Sequence, residues 1–385
     1  MRFRVHHLLL VLSLLSMVLP IRAATAEPIV MAASLSLTGK YAELGRMKER
    51  GYRLWEEDVN RRGGILGRQV KLVLMDDESK TDLAVRLYTD FVTRHKVDFL
   101  LGPYSSEITQ AVAAVAEEHR YPLLASGGSA TSMWQQNRKY LFGVYVTTDK
   151  YTIGFLELLV RNGISNLAIV AADEPFSKGI VAGTTEWANR FGVKIVQVSG
   201  FPPGSTEIDA GLRAAHASGA QALLVAGHFK DSVNATHALK NIGWKPRAFF
   251  ATVGPALDNF GEAVGADADY TFSSSQWEPT LSYPGSRAFA HAFVSRYQSI
   301  PSYHAATAYA AGEILEAAIR KTKSMDRQKV RESLLALDVI TVIGRYGVDR
   351  DGRQIRHFTT TVQWQNGKKQ IVAPKELKTA DPLWR

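Results

Sequence analysis

The chain has 385 residues and no cysteine, which excludes disulfides, thiolate metal sites and thiol catalysis and leaves its stability to packing. Its formal charge is +9, yet no dense lysine or arginine run is present, so nothing supports a nucleic-acid partner.

Residues 1–26 read as an export leader. Arg2 and Arg4 precede the apolar run from Leu8 to Leu19, Pro20 breaks it, and Ala24-Thr25-Ala26 offers small residues for cleavage near Ala26. The run falls short of the roughly 20 apolar residues of a membrane helix. Cleavage would remove Arg2, Arg4 and Arg22 and no acid, lowering the charge by three, from +9 to +6. About 360 residues would remain, room for two domains of ordinary size in the periplasm.

From Glu27 onward, apolar strand-like runs alternate with amphipathic helical ones, the pattern of parallel α/β sheets. Strands are expected at Ile29 to Leu35, Val70 to Met75, the run ending at Leu101, and Pro122 to Ala125; helices at Ala42 to Arg61 and Asp82 to His95. After Tyr140 to Val146 a second set begins, with strands at Asn166 to Ala171, Val193 to Val198, Ala220 to Ala226, Ala248 to Ala251 and Tyr270 to Ser273. Helical patterns separate them at Lys178 to Arg190, Ile208 to Ala217 and Lys230 to Ile242. Arg287 to Gln298, Ala305 to Thr322 and Arg327 to Leu337 are helical, and the strand-like Phe358 to Trp364 lies between turn signals at Asp349 to Gly352 and Asn366-Gly367. The fold expected is two doubly wound α/β lobes joined by a multi-stranded hinge. Lobe 1 takes 27–146 and 277–338, and lobe 2 takes 147–276 and 339–385.

The stretch from Leu100 to Ser132 is strand, hydroxyl-rich turn, helix, strand, hydroxyl-rich turn. Both turns follow the carboxyl ends of strands, where open α/β sheets bind ligands. Ser105 and Ser106 also open a helix, so hydroxyls and free backbone N–H groups can converge on a small anion. Tyr41, Tyr104, Phe176, His228 and Trp277 fall at or just after strand ends, and aromatic walls with a few placed polar groups suit a small-molecule pocket. No Gly-x-Ser-x-Gly, His-Glu-x-x-His or phosphate-loop motif is present. Asp76-Asp77 reads as a turn device rather than a metal site. Asn234-Ala235-Thr236 lies within a helical pattern, which argues against glycosylation.

The sequence resembles the periplasmic solute-binding proteins of branched-chain amino-acid ABC transporters, the leucine/isoleucine/valine-binding type. Leu35 to Gly39, Asn60 to Leu66 (NRRGGIL), Met75 to Asp77, Leu101 to Ser106 (LGPYSS), Ser126 to Thr131, Val342 to Gly344 and Val362 to Gly367 carry the resemblance, in order and spacing. It implies a type I periplasmic binding fold that closes on its ligand about three crossovers. It implies that Ser106, with Ser105 beside it, and Gly127, Gly128 and Ser129 hold the ligand carboxylate, with Phe176 and His228 closing from the second lobe. Amino-acid binders of this family use an acid for the α-ammonium, and its place falls on Val253. A buried ammonium without a carboxylate is costly, so the ligand is expected to be an aromatic or aliphatic carboxylate or an amide, unless Glu174 or another acid substitutes.

The resulting expectation is a solute-binding protein, not an enzyme, that needs no cofactor or metal and presents an amino-acid-like or organic-acid ligand to an ABC permease. A sensing module of the same fold, coupled to a chemoreceptor or sensor kinase, is the alternative. An enzyme is disfavoured.

Overall fold

A computed structural model describes residues 27–203 and 207–385; the leader proposed above lies outside the described residues. The first sheet is built from β1 (Ile29–Leu35), β2 (Val70–Asp76), β3 (Phe99–Leu101), β4 (Leu123–Ala125) and β5 (Leu141–Gly143). Its order is β2-β1-β3-β4-β5, and every pair is parallel. Between the first four strands run α1 (Ala42–Arg61), α2 (Thr81–Thr93) and α3 (Ser106–Glu118). β3, β4 and β5 are buried at every residue, as strands of a parallel sheet covered on both faces must be.

The second body follows with α4 (Ile153–Arg161), β6 (Asn166–Ala172), α5 (Pro175–Phe191), β7 (Lys194–Phe201), α6 (Asp209–Ala217), β8 (Ala222–Ala226), α7 (Phe229–Ile242), β9 (Ala248–Ala251), α8 (Asn259–Val264) and β10 (Thr271–Ser275). The chain then returns to the first body as α9 (Ser286–Tyr297), α10 (Tyr303–Thr322) and α11 (Arg327–Leu335), with α10 packed along α1. Glycines allow that approach. A Cβ on Gly51 would stand 2.1 Å from the Ala305 carbonyl oxygen, and one on Gly312 would stand 2.1 Å from the Trp55 ring.

A hairpin of β11 (Val339–Thr341) and β12 (Gly344–Tyr346) comes next and packs on α10. Only then does the chain re-enter the second sheet, as β13 (Thr360–Gln365) and β14 (Lys368–Ala373). That sheet has the order β14-β13-β10-β9-β8-β6-β7, with β13 antiparallel to both neighbours. The turn between β13 and β14 has positive φ at Asn366 (50°) and Gly367 (71°), the geometry that Asn-Gly favours. The loop after β12 stays with the first sheet. Gly143 donates its N–H to the Gly352 carbonyl at 2.8 Å, and Gln354 Nε2 donates to the Val144 carbonyl at 3.0 Å. These contacts argue for a last crossing after residue 354 rather than at 339.

The three passages between the bodies are laced together by His357, which is buried. Its Nδ1 accepts from the Val146 N–H at 3.4 Å on the first passage. Its Nε2 lies 3.0 Å from the Gln276 carbonyl on the second. Since Nδ1 accepts, Nε2 carries the proton and donates, so both contacts need the neutral ring. Burial pushes the imidazole down to about 4 from its ordinary 6.5.

Candidate functional site

β3 and β4 lie side by side, so the turns beyond them meet. Ser105 is the extended residue before α3, and its buried hydroxyl faces the phenol of Tyr41. The Ser106 hydroxyl accepts from the backbone N–H of Ser129 at 3.0 Å and of Ala130 at 3.1 Å, fixing the second turn against the first. Gly127 and Gly128 are required by that closeness. A Cβ on Gly127 would stand 2.3 Å from the Pro103 carbonyl and 3.1 Å from Lys48 Cε, and one on Gly128 would stand 2.7 Å from Thr109 Oγ1. The result is a helix N-terminus flanked by the Ser105 hydroxyl, an electrostatic setting that favours a carboxylate.

Around these turns stands a cluster of buried tyrosines. Tyr41, at the start of α1, meets Tyr104 edge-on with ring centroids 5.3 Å apart, and Tyr104 packs on His304 at 5.3 Å. Tyr303 stacks on His304 at 4.0 Å. From the passage between the bodies, Tyr151 brings its hydroxyl to 3.0 Å from Ser129 Oγ, with Tyr145 beside it. Burial pushes all five phenols far above their ordinary range. They are neutral hydrogen-bonding groups on an apolar wall.

The second sheet contributes the opposite side. His228 follows β8 and starts α7, its N–H donating to Asp231 Oδ2 at 2.7 Å. Its ring stacks on Phe176 at 5.4 Å and meets Tyr41 at 4.8 Å, and its Nδ1 lies 2.6 Å from the Tyr104 hydroxyl. Its Nε2 is buried 3.9 Å from Glu174 Oε1. At the mouth, Gly39 to Leu44, Arg46 and His228 to Lys230 line an opening of about 250 Å³.

Glu174 is already committed. It caps α5, accepting from Phe176 N–H at 2.9 Å, from Ser177 N–H at 2.7 Å and from the Ser177 hydroxyl at 2.5 Å. Burial opposes its charge, but the nearby imidazole of His228 and these donors hold its carboxyl below the usual range. Val253 follows β9 and is buried. It is the centre of a γ-turn, with φ 63° and ψ −65° and a Gly254 N–H to Thr252 carbonyl bond of 2.7 Å, a strained geometry for a β-branched residue. The Thr252 hydroxyl bonds Gly227, the residue before His228, at 2.8 and 2.6 Å.

The structure therefore gathers Tyr41, Tyr104, Ser105, Ser106, Gly127, Gly128, Ser129, Phe176 and His228 about one cleft, with Val253 in a loop tied to the His228 turn. Trp277 belongs elsewhere: its Nε1 donates to the Ser286 hydroxyl at 2.9 Å, and its ring packs on Phe289. Asp76 and Asp77 hold turns. Asp77 accepts from the hydroxyls of Ser34 and Ser36, both at 2.7 Å, and Asp76 from the N–H groups of Leu37 and Thr38. Among the described residues, no three His, Asp or Glu side chains are grouped to hold a metal. Sequence reasoning missed Tyr145, Tyr151 and Tyr303, and it missed Lys48. The lysine had a readable signal, since it lies one helical turn from Leu44 and from Tyr52 on the buried stripe of α1.

Two α/β bodies whose strand ends face a shared polar and aromatic cleft are the architecture of a two-lobed solute-binding protein. The chain belongs to the periplasmic binding protein family, whose model matches residues 28–369. It is 25% identical over 371 residues to Leu/Ile/Val-binding protein homolog 8 of Brucella abortus, covering 89% of this chain and 90% of that one. Among solved structures, it resembles the leucine-binding protein LivK of Thermotoga maritima with a TM-score of 0.82 and 21% identity, over 90% of this chain and 98% of that one. It also resembles a solute-binding protein of an ABC transporter from R. palustris, solved with benzoate, at a TM-score of 0.77 and 17% identity, over 89% and 94% of the two chains.

Proposed function

We propose that the protein is an exported component of an ABC importer that captures a small carboxylate lacking an α-ammonium and delivers it to a membrane permease. The observation that carries the ligand class is the charge inventory of the cleft. The Ser105–Ser106 helix start is suited to an anion, Val253 is apolar, and the acids around the cleft have partners of their own: Glu174 caps α5, Asp231 accepts from the His228 N–H, Glu107 from the Thr81 hydroxyl, and Glu43 at the mouth from the Asn259 amide. The tyrosine wall and the stacked Phe176–His228 pair accept a flat or branched apolar body. Family membership supports delivery to a permease, and the leader sequence supports passage into the periplasm.

In this reading Ser105, Ser106, Gly127, Gly128 and Ser129 fix the carboxylate on the first lobe, and Phe176 and His228 close over the remainder. The Tyr104–His228 contact across the cleft is one that closure would make or break. A thermal-shift screen of the mature chain tests the proposal, because a ligand that binds only the native state raises the melting temperature. Benzoate or 4-methylpentanoate is expected to stabilise, with leucine inert. Stabilisation by leucine alone would return the protein to the amino-acid specificity named for its relatives.

A further inference from the structure

Lys48 is completely buried in the middle of α1, directly behind the turn proposed to hold the carboxylate. Its Nζ donates to the Ser126 hydroxyl at 2.7 Å, and that hydroxyl lies 2.5 Å from the Tyr52 phenol. Its stem runs so close to the turn that a Cβ on Gly127 would stand 3.1 Å from Lys48 Cε. Every charged or titratable neighbour can be named. Tyr52 comes from the same helix and His304 from α10, while Thr307 on α10 bonds the Ser126 carbonyl at 2.9 Å. Among the described residues no carboxylate pairs with Lys48, and burial is the cause found for its perturbed basicity. A buried ammonium with no acid beside it is anomalous on stability grounds, because an unpaired charge in the interior costs several kcal/mol.

We propose that Lys48 is a specificity-determining residue whose missing counter-charge is the carboxylate of the ligand, so that the cleft takes anions and rejects zwitterions and neutral amides. The inference rests on the carboxylate reading above. Without an anion, burial pushes the amine well below its ordinary range. His304, also buried and with an unpartnered Nδ1, is itself pushed down by burial, by Lys48 and by His228. Tyr52 is pushed up by burial and stays neutral. A carboxylate settling on the Gly127–Ser129 turn reverses the balance at Lys48 and favours its ammonium. Binding then takes up a proton, and affinity rises as pH falls through the window between the free and bound values of the amine. A zwitterion gains the same attraction at its carboxylate but sets its own ammonium in a cleft where Val253 offers no acid.

Two acid–amide pairs, benzoate with benzamide and 4-methylpentanoate with 4-methylpentanamide, test this by calorimetry on wild type and Lys48→Met in buffers of different ionisation enthalpy. Methionine is chosen because it fills the space of the lysine stem without charge. In the wild type, the acid should bind at least about tenfold more tightly than its amide, with a buffer-dependent heat that reports proton uptake. In Lys48→Met the preference should fall to within about threefold, chiefly by loss of acid affinity, and the proton uptake should disappear. An acid preference that persists in Lys48→Met, or acid binding by the wild type without proton uptake, overturns the role of Lys48 and leaves the carboxylate reading standing. If the wild type binds neither acid, the carboxylate reading fails and this inference falls with it.

Discussion

Ser105 and Ser106 are adjacent hydroxyls on the proposed carboxylate site, and only Ser106 also ties the two turns together. Ser106 accepts from two backbone N–H groups. Ser106→Ala leaves both donors unpaired in the interior, at about 1–3 kcal/mol each, so the unbound protein should melt at a lower temperature. The Ser105 hydroxyl holds no backbone group and faces the Tyr41 phenol. Ser105→Ala should lower the melt less than Ser106→Ala and weaken carboxylate binding by about 1.5–3 kcal/mol, the worth of a hydrogen bond to a charged group; equal affinity in a titration would remove Ser105 from the site. The serines and loop glycines were legible because the sequence places them where strand ends meet a helix start. Tyr145 and Tyr151 were not, because they stand on a passage between bodies whose path no local pattern reveals. Glu174 was offered as a substitute acid, and that it also caps α5 depends on where three donors point, which the sequence does not reveal.

At the scale of elements, the alternation of strand and helix was readable because buried parallel strands appear as unbroken apolar runs. α5 begins three residues earlier than its apolar stripe suggested, at Pro175, because proline suits a first helical position and Glu174 reaches forward to cap it. β11 and β12 escaped notice, since a hairpin of three-residue strands carries too few positions for alternation to register. The contact between α1 and α10 is a tight constraint on the first body. Gly51→Ala would press a methyl into the Ala305 carbonyl, and the two backbones would have to part. Chemical denaturation should show a loss of about 1–3 kcal/mol or more. A variant as stable as the parent would mean that α10 can slide along α1.

The whole molecule turns on the passages joined at His357. An unfolded imidazole takes up its proton near pH 6.5, whereas the folded one does so only near 4. Between those values the unfolded chain binds more protons, so stability complete above pH 6.5 is lost as pH falls toward about 4. The share due to His357 is on the order of 3 kcal/mol, and His357→Gln should flatten the pH dependence of unfolding by that amount. Small-angle scattering should also register compaction with ligand, and superimposable profiles would count against closure. That two bodies exist was legible from the doubled α/β pattern. The last crossing was not, because the loop to residue 354 is held to the first sheet by contacts with Gly143 and Val144, far away in sequence. The same threading governs how the protein is made. β10 and β13 are neighbours in one sheet, yet 84 residues that include α9, α10 and α11 separate the end of one from the start of the other. In a growing chain the first sheet and the helices that cover it are made before β13 and β14, so the second sheet keeps an open strand edge at β10 until the last residues emerge. Late completion of this kind keeps a polypeptide pliable through most of its synthesis, the state in which a chain can be drawn through a narrow translocation channel.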